Sequence, residues 1–253
     1  MAWSRRYDEA EAQRVNRWLA QNGVCSRREA EALIARGLVS IDGVTLVDAG
    51  HKIVPGQTLV LADAAQSDLA SALTVIVHKP VGVVSAQPDP GQVPAARLLT
   101  RANLVGDSPM IPDRDTRLAP VGRLDMDSRG LLILSEDGVV AKAVIGPQSE
   151  LEKEYLVRVD APVDNRALGL LRHGLELDDR QLKPAKVSLL EPQQMRIVLT
   201  EGRNRQIRRM CDLVGLGVTD LFRVRVGPLR IAGLPEGRWR VLTPGERRAL
   251  VGG

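Results

Sequence analysis

Aromatic side chains are scarce in this sequence: three tryptophans, two tyrosines and one phenylalanine among 253 residues. Any exposed one therefore stands out. Cysteine is limited to Cys25 and Cys211, far apart and with no CxxC pairing, and the histidines His51, His78 and His173 are scattered. That spacing excludes a disulfide framework and gives no metal-ligand set, so neither zinc nor another metal is expected. No apolar run reaches membrane-spanning length, and Met1-Ala2-Trp3-Ser4-Arg5-Arg6 lacks the apolar centre of a signal peptide. No membrane partner is expected, and a reducing cytoplasm is the expected compartment.

The charge balance is what the sequence does offer. A net charge of +4 and a pI near 9.4 favour a polyanionic partner, although an arginine-rich solvated surface gives the same numbers. The length suits one large domain, or a large domain with a small one.

Residues 1–11 are polar and read as a loose segment. Val15, Trp18 and Leu19 then recur at helical spacing up to the stop Asn22-Gly23. Ser26-Arg27-Arg28-Glu29 is a capping box, opening a helix that turns Ala30, Leu33 and Ile34 inward. Leu38-Val39-Ser40-Ile41 alternates as a strand, Asp42-Gly43 marks a hairpin, and Thr58-Leu59-Val60-Leu61 is a further strand. Residues 12–62 thus form a small basic module with Arg14, Arg17, Arg27, Arg28 and Arg36 outside, which is either an RNA-binding face or simply a solvated one. Residues 63–72 are small, polar and unpatterned, as in a linker. A larger unit follows over 73–250.

That unit opens with a buried strand from Leu73 to Val77, running into His78-Lys79-Pro80-Val81-Gly82, a fixed turn. The proline-rich stretch 86–120 has no clear period and reads as a long surface excursion, functional or mobile. Next comes the stretch on which the chemistry turns, Gly122-Arg123-Leu124-Asp125-Met126-Asp127-Ser128-Arg129-Gly130, a polar loop leading into the apolar strand Leu131–Leu134. Asp125 can be a reactive carboxylate held rigidly at the mouth of a buried strand, or can merely hydrogen-bond the turn with Asp127. Asp125, Asp127, Gly130 and Glu136 also match positions 1, 3, 6 and 12 of a calcium loop. Arg129 would place a cation among those ligands, and Pro120 and Gly122 interrupt the entering helix, so calcium is not expected.

Lys153 to Val159 alternates as a strand with Tyr155, Val157 and Val159 on one face. Two more strands, at Lys186–Leu190 and Met195–Leu199, precede the turn Thr200-Glu201-Gly202-Arg203. The helix expected over Asn204–Val214 puts Ile207, Met210, Cys211 and Val214 on one face and Arg205, Arg208 and Arg209 on the other. A turn and helix start so rich in arginine suit a phosphate or carboxylate clamp, or a merely soluble exposed helix.

Several of these motifs occur together in one known order: Lys79-Pro80-Val81-Gly82, Gly122-Arg123-Leu124-Asp125, Lys153-Glu154-Tyr155, and Glu201-Gly202-Arg203-Asn204-Arg205-Gln206-Ile207-Arg208-Arg209-Met210. The chain resembles the RsuA/RluB/RluE/RluF branch of ribosomal RNA pseudouridine synthases, most closely the RluF type. Its front end, through Cys25-Ser26-Arg27-Arg28-Glu29-Ala30 and Gly37-Leu38-Val39-Ser40-Ile41-Asp42-Gly43, is similar to the S4 RNA-binding domain. His78 stands where relatives commonly have Asn, the 86–120 excursion is longer than usual, and the long basic tail of some RluF-type proteins has no counterpart.

The resemblance implies an α+β protein: an S4 domain, then a catalytic domain whose mixed, mostly antiparallel sheet is flanked by helices. It implies isomerisation of uridine to pseudouridine in rRNA, expected in the 23S molecule, without redox change and so without a cofactor. Asp125 is then the essential carboxylate, acting at C1′ or stabilising charge on the way to a glycal. Arg208 would form an ion pair with it. Tyr155 would stack on the extruded base, and Arg123 would support the flipped state. Lys79, Arg203, Arg205 and Arg209 join the S4 arginines as expected RNA contacts. The partner is rRNA or a pre-ribosomal particle, and the chain is expected to be a monomer. Two alternatives stay open: a catalytically inactive RNA-binding or assembly factor, and a synthase of the same chemistry acting on tRNA.

Overall fold

The computed structural model describes residues 3–113 and 116–252; Met1 and Ala2 of the expected loose segment, positions 114 and 115 of the excursion, and position 253 lie outside them. The chain forms two compact units, one running to Leu73 and taking in Ser135–Lys142, the other made of Thr74–Leu134 and the residues from Ala143 on.

In the first unit β1 (Trp3–Arg6) precedes α1 (Val15–Gln21), α2 (Arg27–Ala35), β2 (Val39–Ile41), β3 (Val44–Thr45), β4 (Thr58–Leu61) and α3 (Asp63–Ser71). The strands make one sheet in the order β1-β4-β2-β3. Val15, Trp18 and Leu19 of α1 and Ala30, Leu33 and Ile34 of α2 meet Val39, Ile41, Leu59 and Leu61 of the sheet in one core. The capping box of α2 forms as expected, Ser26 Oγ accepting from Glu29 N–H and the Glu29 carboxylate accepting from Ser26 N–H. The other Glu29 oxygen accepts from Gly138 N–H at 3.1 Å. Gly138 lies so close that a Cβ there would sit 2.2 Å from Ser26 Cβ, which explains why residues 135–142 pack with this unit.

Two expectations about this unit are corrected. Trp3–Arg6 is not loose: it pairs antiparallel with β4 from Trp3↔Leu61 to Arg6↔Thr58. Tyr7, completely buried, packs edge-on against Trp18 with ring centroids 5.5 Å apart. The polar residues that hide this strand in the sequence face water, as an edge strand allows. Residues 63–71 are likewise a helix rather than a linker, since alanines favour helix and Ala65 and Leu69 reach the core.

The second unit is built on β5 (Thr74–Lys79), β6 (Arg129–Ser135), α4 (Gly138–Ile145, shared with the first unit), β7 (Lys153–Val159), α5 (Asn165–Arg172), β8 (Lys186–Glu191), β9 (Gln194–Leu199), α6 (Gln206–Leu213), β10 (Val218–Val226), β11 (Trp239–Val241) and α7 (Pro244–Val251). Its sheet runs β8-β9-β7-β10-β6-β5-β11, with Ala119–Val121 paired to β6 and Leu229–Arg230 to β10. β8, β9, β7 and β10 are antiparallel neighbours, while β6 and β10 run parallel, so the sheet is mixed as expected.

The 86–120 excursion is tied to this sheet. Val83–Val84 pairs with Val93–Pro94, Ala95 and Leu99 are buried, and Trp239 Nε1 donates to Thr100 O at 2.8 Å. At the start of β6, Gly130 pairs with Arg223 of β10, and a Cβ at Gly130 would lie 2.3 Å from the Arg223 carbonyl oxygen. Only glycine permits that approach, and it fixes where the preceding Asp125 loop ends.

Candidate active site

The loop before β6 is held by its backbone. Ser85 Oγ donates to Leu124 O and accepts from Leu124 N–H, at 2.6 and 2.9 Å. Gly82 N–H donates to Met126 O at 2.8 Å, and Ser128 N–H to Asp125 O at 3.1 Å. From behind, the buried Arg223 guanidinium donates to Leu131 O and Gly122 O, each at 2.7 Å. The side chain of Asp125 is thus left on a fixed backbone, about three-tenths exposed and lining a cleft of about 690 Å³.

Tyr155 lines the same cleft. On β7 it lies opposite Arg223 on one side and Ile197 on the other, and alternation puts it on the face of the buried Lys153, Val157 and Val159. Arg123, Arg203 and Arg205 complete the set of expected residues that the fold gathers there.

Charge in the loop is organised around Asp127. Arg205 donates to its two carboxylate oxygens at 3.2 and 2.8 Å. Arg208 places Nε 3.2 Å from Asp127 Oδ2 without aiming the N–H at it, and donates through Nη2 to the Asp127 carbonyl at 2.7 Å. Burial works to raise the Asp127 carboxyl, but the Arg205 hydrogen bond and the charges of Arg208 and Arg205 outweigh it. The group is held below its ordinary value. Arg205 does this from a left-handed backbone, φ 48°, just before α6. That is an unfavourable conformation for a residue with a Cβ.

Four expectations change here. The Arg208–Asp125 ion pair does not form, because Arg208 is spent on the loop at Asp127 and Ser128. Among the described residues the cation nearest Asp125 is Arg205, at 3.7 Å. Lys79 is fully buried and donates to the Pro80 and Val83 carbonyls, so it cannot reach RNA. Desolvation pulls its ammonium down to about 8, against the opposing pull of Asp127 and Asp125. Arg203 gives its guanidinium to the carbonyls of Leu177, Arg180 and Gln181, which locks the hairpin formed by Glu176–Leu177 and Arg180–Gln181. Arg209 is likewise occupied, paired with both oxygens of Asp178.

Of the first unit's arginines, Arg14, Arg17, Arg27 and Arg28 are exposed on α1, α2 and the residue before α1, whereas Arg36 pairs with Asp68 at 2.5 Å. Local sequence pattern does not reveal Ser85, in the bend after Val83–Val84, or Arg223 of β10, which grip the loop from far along the chain. Lys153, part of the Lys153-Glu154-Tyr155 motif, is buried in the cleft wall. Its ammonium is lowered by desolvation and by the charge of Arg223.

Residues 73–213 match the family model for RNA pseudouridylate synthase, and residues 13–59 match the S4 domain. The dual-specificity RNA pseudouridine synthase RluF of Salmonella typhi is 35% identical over 237 residues, covering 92% of this chain and 76% of that protein. Ribosomal large subunit pseudouridine synthase B of Bacillus subtilis is 32% identical over 245 residues, covering 94% and 95%. A pseudouridylate synthase crystal structure superposes with a TM-score of 0.64, covering 94% of this chain and 99% of that one at 24% identity, and shows the same fold. Among the described residues no helix is long and apolar enough to cross a membrane.

Proposed function

Because the chain belongs to the RNA pseudouridylate synthase family, we propose that it isomerises one uridine of ribosomal RNA, in the 23S molecule, to pseudouridine. The observation that carries this reading is that Asp125 and Tyr155, from different elements, line one cleft.

The reaction breaks the N1–C1′ bond, turns the base, joins C5 to C1′ and moves the C5 proton away. Nothing is oxidised or transferred to a second molecule. Asp125 needs only to stay ionised and aimed, either to attack C1′ or to stabilise charge there as the base departs. Arg205 places a cation 3.7 Å from that carboxylate. Tyr155 offers its ring as a stacking surface for the extruded uracil, whose removal from the helix costs a few kcal/mol. Arg123, exposed at the rim, supports the vacated position.

Arg208 acts in this reading as a positioning residue, holding the loop through Asp127. The exposed arginines of the S4 domain bind phosphates without reading sequence. Arg205 and Arg209 reach RNA only by giving up their carboxylates. We place the protein in the cytoplasm, working as a monomer on free rRNA or a pre-ribosomal particle.

The test is tritium release from rRNA carrying 5-tritiated uridine. Release by the wild type, with pseudouridine mapped to a 23S site, supports the proposal. Release from tRNA alone would move the substrate, and no release from either RNA would leave an RNA-binding factor.

A further inference from the structure

The cleft of the second unit is lined by six basic side chains: Arg123, Lys153, Lys183, Arg203, Arg205 and Arg223. Four of them already have acceptors within the protein. Arg205 holds Asp127, Arg223 holds the loop carbonyls, Arg203 holds the 176–181 hairpin, and Lys153 donates to Leu151 O at 3.3 Å. Among the described residues, the Arg123 and Lys183 side chains have no hydrogen bond or ion pair, and both are exposed. Arg123 already has a place in the flipped state. Lys183 has none.

The backbone of Lys183 is nevertheless built into the site. Its N–H donates to Glu201 Oε1 at 3.2 Å, and the same oxygen accepts from Gln206 Nε2 at 2.8 Å. Gln206 begins α6, directly after Arg205. The residues just before Lys183 are fixed as well, since Leu182 is buried and Arg203 grips the Gln181 carbonyl at 2.8 Å. A long cationic side chain thus projects from a pinned backbone at the edge of the cleft. Glu201 does not neutralise it, because that carboxylate is engaged by the Lys183 and Gln206 N–H groups and lies 3.8 Å from Arg203 Nε.

We propose that Lys183 is an RNA-backbone anchor: its ammonium takes a phosphate of the strand flanking the extruded uridine, and Arg203 and Glu201 serve to place it. A free ammonium beside a cleft that admits a polyanion gives up its own counterion and releases that of the phosphate on binding. Such a contact sets the position of the strand and carries no sequence information. The inference rests on the pseudouridine synthase reading for its substrate.

The test measures binding of a 23S rRNA transcript across a salt series, with tritium release at saturating RNA, for wild type, Lys183→Gln and Lys183→Arg. Lys183→Gln is expected to bind more weakly and to lower the slope of log affinity against log salt by about 0.7–0.9, one phosphate contact. Its turnover at saturation stays at the wild-type value, and Lys183→Arg restores the slope. An unchanged slope in Lys183→Gln, a loss of turnover at saturation, or no recovery in Lys183→Arg would overturn the assignment. Absence of tritium release from the wild type would instead defeat the functional reading, while the salt slope still reports on Lys183.

Discussion

Arg208 pairs with Asp127, not with Asp125: its Nε lies 3.2 Å from the Asp127 carboxylate and its Nη2 donates to the Asp127 carbonyl at 2.7 Å. Arg205 bridges the two carboxylates, bonding Asp127 and standing 3.7 Å from Asp125. Asp127 is therefore the fixed point of the loop, and among the described residues the Asp125 carboxylate accepts no hydrogen bond.

Asp127→Asn should loosen both guanidiniums. With Asp127 and Arg205 each more than four-tenths exposed, the stability loss should stay below about 1 kcal/mol. Misplacing the neighbouring Asp125 should cost about 10²-fold in turnover. Thermal melts and single-turnover rates check both. Near-wild-type turnover would show that the clamp does not position Asp125.

Arg208→Ala should lose most activity for the same reason, and the double variant with Asp127→Asn should be little worse than either single one. Residues acting through one contact are not additive. Fully multiplicative losses in kcat would contradict the shared role.

Gly130→Ala should destabilise the second unit by about 3 kcal/mol or more, because the added Cβ would meet the Arg223 backbone at 2.3 Å from a φ of +114°. Denaturant unfolding measures it. A loss under about 1 kcal/mol would mean that the two strands separate more easily than their register implies.

Lys79 gives a pH signature. Its proton is held to about 10.5 in the unfolded chain but only to about 8 in the folded one. Between those values the unfolded state binds more protons, so the Lys79 contribution to stability rises with pH. Below pH 8 both states are charged and the burial penalty is constant. The stability of wild type minus that of Lys79→Met should therefore climb from about pH 8 to 10.5. A flat or falling difference would mean that Lys79 is better solvated than its burial indicates.

Short-range patterns made much of this legible. The Ser26 capping box, the alternation around Tyr155 and the apolar face of α6 depend on neighbours a few residues away, and each stands where the sequence put it. What escaped depends on distant partners. Nothing local says that Arg208 will meet Asp127, that Ser85 will grip Leu124, or that Arg203 will serve a hairpin more than twenty residues upstream. The edge strand at Trp3–Arg6 is hidden in the sequence because three of its four residues stay exposed and it lies at the end of its sheet. The burial of Lys79 was the nearest to readable, since Val75, Ile76 and Val77 just before it form a continuous apolar strand.

The central claim is that Asp125, and no other carboxylate of the loop, performs the isomerisation. Its most direct test is pseudouridine formation by purified Asp125→Asn, run beside an RNA-binding titration of the same variant. The account predicts wild-type affinity with no product. Substantial pseudouridine from that variant would contradict it.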